Sequence, residues 1–363
     1  MTHTGRKAAR CASNCAPSAP PLGSTARLGW SFAVRALFPG TITRVARCFV
    51  TRRLPGAALA LLIEAHQVDV WPARLPPTRR ELAARAADAE GLLTLLTDKV
   101  DEPLLAHCPQ LRAISNYAVG VDNIDLEAAG RRGIPVGHTP DVLTDATADL
   151  AFALLLAAAR KLPRAIRSVH DGDWLTWEPG LHLGAAVHGA TLGIIGMGRI
   201  GRAVARRAQG FEMTVIHAVA GDPDGLTKVL CRSDFVSLHC PLTPETFHLI
   251  DATALARMRP TAILINTARG QIIDHDALRR ALTDGQLGGA ALDVTDPEPL
   301  PADHPLLAAP NLVVVPHIGS ATGAARERMT ELAVANLLAG LEGRPMPHQA
   351  NQLGHGPRSR PGA

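Results

Sequence analysis

The stretch TLGIIGMGRIGRAVARR, residues 191–207, constrains this chain more than any other. An apolar run ending at Ile195 suits a buried parallel strand. Gly196, Gly198 and Gly201 follow at once in G-x-G-x-x-G spacing, and then comes the Ala/Val/Arg pattern of a helix. In such a turn the first glycine permits the sharp bend and the second lets backbone approach a pyrophosphate. The third lets helix and strand pack closely, with the N–H groups at the helix start facing the anion. The same spacing occurs in turns that only connect elements, but a strand before it and a helix after it make dinucleotide binding the expectation.

That turn sits in a chain of 363 residues, enough for two domains with a core each. Its net charge of +4 conceals an asymmetry: residues 1–53 carry nine Arg or Lys and no acid, which leaves the rest at −5. A mildly acidic body with one Tyr and seven Phe offers neither a basic face nor an aromatic platform, so no nucleic-acid partner is expected. The six cysteines include no C-x-x-C pair, which argues against a zinc ribbon or a disulfide frame. No metal and a reducing, cytoplasmic setting are expected. Residues 1–44 mix Ala, Ser, Pro, Gly and Arg without apolar periodicity and read as a disordered extension. Their Arg-rich, acid-poor character is also that of a transit peptide, but Arg outnumbers Lys 33 to 4 in the whole chain, so a chain-wide bias accounts for part of it. Residues 142–162, VLTDATADLAFALLLAAARKL, are too short and too acidic at their start for a membrane span and read as a buried helix between domains.

From residue 45 onward, short apolar strands alternate with helical patterns, first to residue 117 and again from 191 to 316, which predicts parallel sheets of the doubly wound α/β type. Residues 171–189 between them read as a loop whose Trp174 and Trp177 either line a site or pack at a subunit contact. In such folds ligands bind beyond the carboxyl ends of the strands. That rule singles out residues 239–242, 266–270, 293–299 and 317–320. Three of these segments deliver Arg269, Glu298 and His317 to one sheet edge. Hydride transfer to a 2-oxo acid needs a cation for the carboxylate and carbonyl, and a proton donor useful near neutrality. Arginine, always charged and able to bind bidentately, suits the first task; a histidine whose tautomer a carboxylate fixes suits the second.

With VTRRLPG, SNYAVGVDNIDLEAAGRRGIPVGHTPDVLTDATADLAFALLLAAAR, GIIGMGRIG, SDFVSLHCPLTPET, LINTARG, GGAALDVTDPEP and VVVPHIGSAT in order, residues 45–351 resemble the D-isomer-specific 2-hydroxyacid dehydrogenases, most closely their glyoxylate/hydroxypyruvate reductase branch. The resemblance implies two Rossmann-like doubly wound domains. The dinucleotide-binding domain, residues 146–317, would be inserted in a substrate domain formed by residues 45–145 and 318–351. It implies that Arg269 anchors and polarises a small 2-oxo acid, that His317 is the general acid paired with Glu298, and that the backbone of Val119 and Gly120 holds the substrate carboxylate. NAD or NADP would meet Thr147, Gly196, Gly198, Arg199, Ile200, Gly201, Pro241, Ala268, Asp293 and Gly319. A homodimer is the usual assembly of the family. Formate dehydrogenases carry Gln where Glu298 stands, and the long phosphoglycerate dehydrogenases carry an additional domain, so both are disfavoured.

One departure concerns the adenosine end. A Rossmann site expects an acid about 20 residues past the glycines for the ribose hydroxyls, or an Arg for a 2′-phosphate. The resembling position is Val219, and residues 213–233 are about a dozen residues shorter than in relatives, lacking a helix and strand on the adenine side. NAD versus NADP is therefore open. The alternatives to an active reductase are a dinucleotide-sensing, corepressor-like binding protein, and an enzyme too shortened to hold its cofactor.

Overall fold

The computed structural model describes residues 44–219 and 221–353. The expected disordered extension falls outside these residues, apart from Arg44.

The first half runs β1 (Arg47–Val50), α1 (Ala58–Ala65), β2 (Gln67–Val70), α2 (Arg79–Ala86), β3 (Gly91–Thr94), α3 (Glu102–His107), β4 (Ala113–Asn116), α4 (Leu126–Arg131) and β5 (Val136–Gly137). The five strands form an all-parallel sheet in the order β2-β1-β3-β4-β5. Helices start where short acceptors cap them: Thr78 with Glu81 forms a capping box on α2, and Asp101 and Asp125 cap α3 and α4. Asp101 and Asp125 each accept from the backbone three residues on, which starts two six-residue helices that apolar periodicity alone did not reveal.

A long helix, α5 (Thr144–Ala159), follows, buried through Ala148, Ala151, Phe152, Leu154 and Leu155. The expected single helix over 142–162 ends early, because Lys161 adopts a left-handed φ of 52° and a second helix, α6 (Leu162–His170), sets off with no buried residue. Residues 171–189 contain no helix or strand.

The second sheet is built from β6 (Thr191–Ile195), α7 (Arg199–Gln209), β7 (Thr214–Ala218), α8 (Pro223–Arg232), β8 (Phe235–Leu238), α9 (Ala252–Arg257), β9 (Ile263–Asn266), α10 (His275–Thr283), β10 (Gly289–Leu292) and β11 (Leu312–Val314). Its order is β11-β10-β9-β8-β6-β7, again parallel throughout. Central strands such as ILIN and FVSL are wholly buried, as a sheet covered on both faces requires. One core beside it packs Leu264, Leu278 and Leu292; the other packs α5 and α7 against Ile194 and Ile265.

The chain then returns. Helix α11 (Gly323–Leu341), capped by Thr322, lies on the first sheet, where Leu337 and Leu341 reach the Gly91 backbone. The buried Asn336 side chain donates to His138 O at 2.8 Å and accepts from His348 N at 2.9 Å, and Tyr117 Oη donates to Arg326 O at 2.7 Å. The fold is thus two parallel-sheet α/β domains, the second inserted in the first.

Candidate active site

Both sheets reverse direction beside their first strand, β1/β3 in one and β6/β8 in the other, and the site lies at the second of these switch points. Strand β6 delivers the chain to Gly196 with φ +97°, where a Cβ would come 2.5 Å from the Cys240 amide in the loop after β8. At Gly201 a Cβ would come 2.2 Å from Gly196 O, so only glycine lets the helix sit this close. Gly198 is the N-cap of α7, with no side-chain cap, no acid in the first turn and nothing within 4 Å of an added Cβ. The free N–H groups of that first turn therefore face open space, an arrangement that fits a pyrophosphate.

This opening joins a cleft of about 1310 Å³ lined from both sheets. Every expected site residue lines it except Gly196, Gly201 and Glu298. The two glycines shape backbone from behind, and Glu298 stands behind His317. The side chain of Arg199 pairs with Asp141 at 2.6 Å on the rim.

Beyond β4, Val119 O accepts from His138 Nδ1 at 2.9 Å and Gly120 O accepts from Asn116 Nδ2 at 2.9 Å. The N–H groups of Val119 and Gly120 have no acceptor among the described residues, which leaves two donors for an anion. Beyond β9, the buried Asn266 side chain folds the next turn by donating to Arg269 O at 2.8 Å and accepting from Ala268 N at 2.9 Å. Arg269 then reaches across to the first sheet's loop: Nε and Nη2 donate to Asp122 Oδ1 at 3.0 and 2.9 Å, while Nη1 donates to Ala268 O at 2.8 Å. A Cβ at residue 120 would lie 1.8 Å from Nη2, so a glycine there makes room for the guanidinium. Three of the five guanidinium donors are thereby engaged and two remain. Asp122 lies within SNYAVGVDN, but nothing in that local pattern marks its side chain, since the motif points to its backbone.

The third segment hangs on Asp293. Its carbonyl accepts from His317 N at 2.8 Å, and its carboxylate accepts from Ile318 N at 2.6 Å and Gly319 N at 2.8 Å. Burial pushes the Asp293 carboxyl above the usual carboxylate range, while those two N–H donors pull it back. The clamp holds His317 at a left-handed φ of 51°, a strained conformation for a non-glycine residue. His317 Nδ1 lies 2.5 Å from Glu298 Oε1, and with the carboxylate accepting, Nε2 is the nitrogen left for the cleft. Thr147 of α5 joins the same cluster, its Cγ2 lying 3.4 Å from where a Gly319 Cβ would stand. Below it, the His239 ring has Nε2 2.8 Å from Ser237 Oγ, and enclosure by protein pushes its pKa down to about 4, so it stands neutral.

The uncapped helix start at Gly198 fits a dinucleotide's phosphates, and Thr147, Asp293 and Gly319 form a polar corner of the same cleft. At the adenosine end Val219, 53% exposed, stands where a ribose-binding acid is expected.

The D-isomer specific 2-hydroxyacid dehydrogenase NAD binding domain matches residues 152–319. A glyoxylate reductase of Korarchaeum cryptofilum is 46% identical over 318 residues, covering 84% of this chain and 96% of the relative. Since 84% of 363 residues is about 305, roughly a dozen positions of that relative have no counterpart here. A crystal structure of a Thermus thermophilus protein superposes with a TM-score of 0.80 at 49% identity, over 84% of this chain and 99% of that one. A Sinorhizobium meliloti NADPH-dependent glyoxylate/hydroxypyruvate reductase, solved with NADP and malonate, superposes with a TM-score of 0.75 at 31% identity, over 85% and 97%.

Proposed function

The chain belongs to the D-isomer specific 2-hydroxyacid dehydrogenase family, and from that premise we propose that it reduces glyoxylate, hydroxypyruvate or a similar small 2-oxo acid to the D-2-hydroxy acid. It is an NAD(P)-dependent oxidoreductase of 2-oxo acids. The observation that carries the reading is the delivery of Arg269 and of the His317–Glu298 pair, from separate strands, to the cleft onto which the Gly198 helix start opens.

In this reading the Val119 and Gly120 N–H groups and the spare donors of Arg269 bind the substrate carboxylate and carbonyl oxygen. Arg269 also stabilises the negative charge that develops on that oxygen. Asp122 holds the guanidinium edge-on and so fixes which donors point at substrate. Glu298 keeps the His317 proton acceptor–donor pair in register: Nδ1 donates to Oε1, and Nε2 gives its proton to the carbonyl oxygen. Asp293 holds the loop that carries His317. Bound here, NADH or NADPH supplies the hydride for the carbonyl carbon. Gly198 and the first turn of α7 hold its phosphates; Thr147, Asp293, Gly319 and the backbone near Pro241 and Ala268 surround its nicotinamide.

The assembly we assign is a cytoplasmic homodimer. No helix among the described residues is long and apolar enough to cross a membrane. Helix α6 exposes Leu162, Ile166 and Val169 on one stripe, and Trp174 and Trp177 beside it are 61% and 80% exposed, an apolar surface that a second copy would cover.

The test is steady-state oxidation of NADH and NADPH with glyoxylate and with hydroxypyruvate. Wild type is expected to turn over at least one pair, and His317→Ala to lose roughly 10²- to 10⁴-fold in kcat, the usual contribution of general acid catalysis. Equal background rates for both proteins with every small 2-oxo acid would sink the reading.

A further inference from the structure

The two ends of the cofactor cleft are built unequally. In the usual dinucleotide fold two strands flank the first on the adenosine side, in the order 3-2-1-4-5-6, and an acid past the second takes the ribose hydroxyls. Here β7 is the sheet edge: among the described residues no strand pairs with its outer side, and Thr214 and His217 stand exposed along it. Renumbered from β6, the order has become 2-1-3-4-5-6, the pattern left when one outer βα unit is removed. After Ala218 the chain needs only residues 219–222 to enter α8, which leads directly into β8.

The acids nearby do not replace what is missing. Asp222 is the N-cap of α8, its carboxylate accepting from Gly225 N at 2.9 Å and standing 2.1 Å from where a Gly225 Cβ would be. Asp224 lies in the first turn of the same helix. Val219 offers a ribose no acceptor. By contrast, the phosphate end is complete, with Gly196, Gly201 and the open Gly198 helix start. So is the nicotinamide corner around Thr147, Asp293 and Gly319.

We propose that this chain draws its cofactor affinity almost entirely from the nicotinamide riboside and the phosphates, and that reduced nicotinamide mononucleotide serves it as a hydride donor alongside NADH and NADPH. The proposal rests on the 2-oxo acid reductase reading. In the balanced step the carbonyl carbon gains a hydride from the dihydronicotinamide, which is oxidised to nicotinamide. The C=O π bond opens, and the oxygen takes a proton from His317. One 2-oxo acid, one reduced mononucleotide and one proton give one 2-hydroxy acid and one oxidised mononucleotide. A carboxylate bonded to a ribose diol contributes roughly 10- to 100-fold in affinity, and that increment is absent here. The same absence removes the charge that would repel a 2′-phosphate, so NADH and NADPH bind alike.

The experiment titrates the full chain, without 2-oxo acid, with NADH, NADPH, reduced nicotinamide mononucleotide and ADP-ribose, by calorimetry or protein fluorescence. In wild type the mononucleotide is expected to bind within about 10-fold of NADH, and ADP-ribose, which keeps both phosphates but lacks the nicotinamide, more weakly than NADH. Val219→Asp is expected to tighten NADH by about 10-fold or more, to weaken NADPH and to leave the mononucleotide unchanged. NADH binding more than about 10-fold tighter than the mononucleotide in wild type, or a Val219→Asp protein that binds NADH no better, overturns the proposal. So does turnover of glyoxylate with NADH but none with the mononucleotide. Should the variant not fold, the wild-type ratio decides alone. Failure with every 2-oxo acid and every donor strikes the functional reading instead, because the binding ratio is measured without substrate.

Discussion

At the scale of single residues, Arg269 and Asp122 set up a competition that magnitudes resolve. In the proposed reaction their ion pair would neutralise the cation that receives an anionic substrate, and at an effective dielectric of about 20 a unit charge 4 Å away is worth about 4 kcal/mol, an upper bound for a pair with a partly exposed carboxylate. The pair also locks the guanidinium plane, and a misplacement of about 1 Å at a reacting group can cost on the order of 10²-fold in rate. Asp122→Asn frees the charge and loosens the plane. We expect kcat to fall roughly 10- to 100-fold while the KM for the 2-oxo acid does not rise, with cofactor binding unchanged. A raised KM with intact kcat would make Asp122 a group of substrate capture alone. His239 makes a separate prediction about stability. Its pKa falls from 6.5 to about 4 on folding, so between those values only the unfolded chain binds that proton. The contribution is complete above pH 6.5 and is lost as pH falls towards 4, an amount on the order of 2–3 kcal/mol given the partial exposure of the residue. His66 and His275, also pushed down by burial, add to the same slope. The drop in unfolding free energy from pH 7 to 4.5, measured by urea titration of the cofactor-free protein, should therefore be smaller in His239→Gln than in wild type. An identical drop in the two proteins would remove His239 from the account.

At the scale of elements, the glycine turn separates fold from ligand. Gly198→Ala meets nothing within 4 Å and keeps an ordinary φ of −75°, whereas Gly201→Ala drives a methyl to 2.2 Å from Gly196 O. Gly198→Ala should therefore unfold within a few degrees of wild type yet bind NADH at least about 10-fold more weakly, because the methyl occupies the anion's place. Gly201→Ala should lose about 1–3 kcal/mol of stability as well, as overpacked sites do. Thermal unfolding with and without NADH distinguishes the two, and equal melting losses would contradict the division. These elements were legible for a physical reason. Parallel strands buried on both faces must be continuous apolar runs, so TLGII, FVSL and ILIN announce themselves, and the segments after them carry the site. What the sequence hid was of another kind. The Asp122–Arg269 contact joins residues 147 apart through side-chain reach, which no local pattern encodes. The break at Lys161 depends on a left-handed backbone that lysine does not advertise, so 142–162 read as one helix.

At the scale of the whole molecule, the shortened segment between Met213 and Ser233 reads in the sequence as a missing helix and strand on the adenine side, and the strand order locates that gap beside β7, the sheet edge. The opposite problem arises at α6 and the first part of residues 171–189, where large apolar side chains stand exposed. Helix α6 has no buried residue, and its exposed Leu162, Ile166 and Val169 fall at helical spacing on one face. Leu175 and Leu183 in the loop that follows are also exposed, at 88% and 66%. Each large apolar side chain buried on association gains about 1.5–3 kcal/mol before the entropy of association is subtracted, so a symmetric contact that buries several from each copy outweighs that cost. The protein should therefore sediment at about 77 kDa, twice the 38.3 kDa of one chain. Ile166→Asp with Trp177→Asp would place carboxylates in that contact from both copies at once, where they would be desolvated and unpaired, and should yield monomers at micromolar concentration. Both positions are exposed, so the monomer should keep the thermal stability of its own two cores. A wild type that is already monomeric, or a double variant that still sediments as a dimer, would mean that this surface meets something other than its own copy.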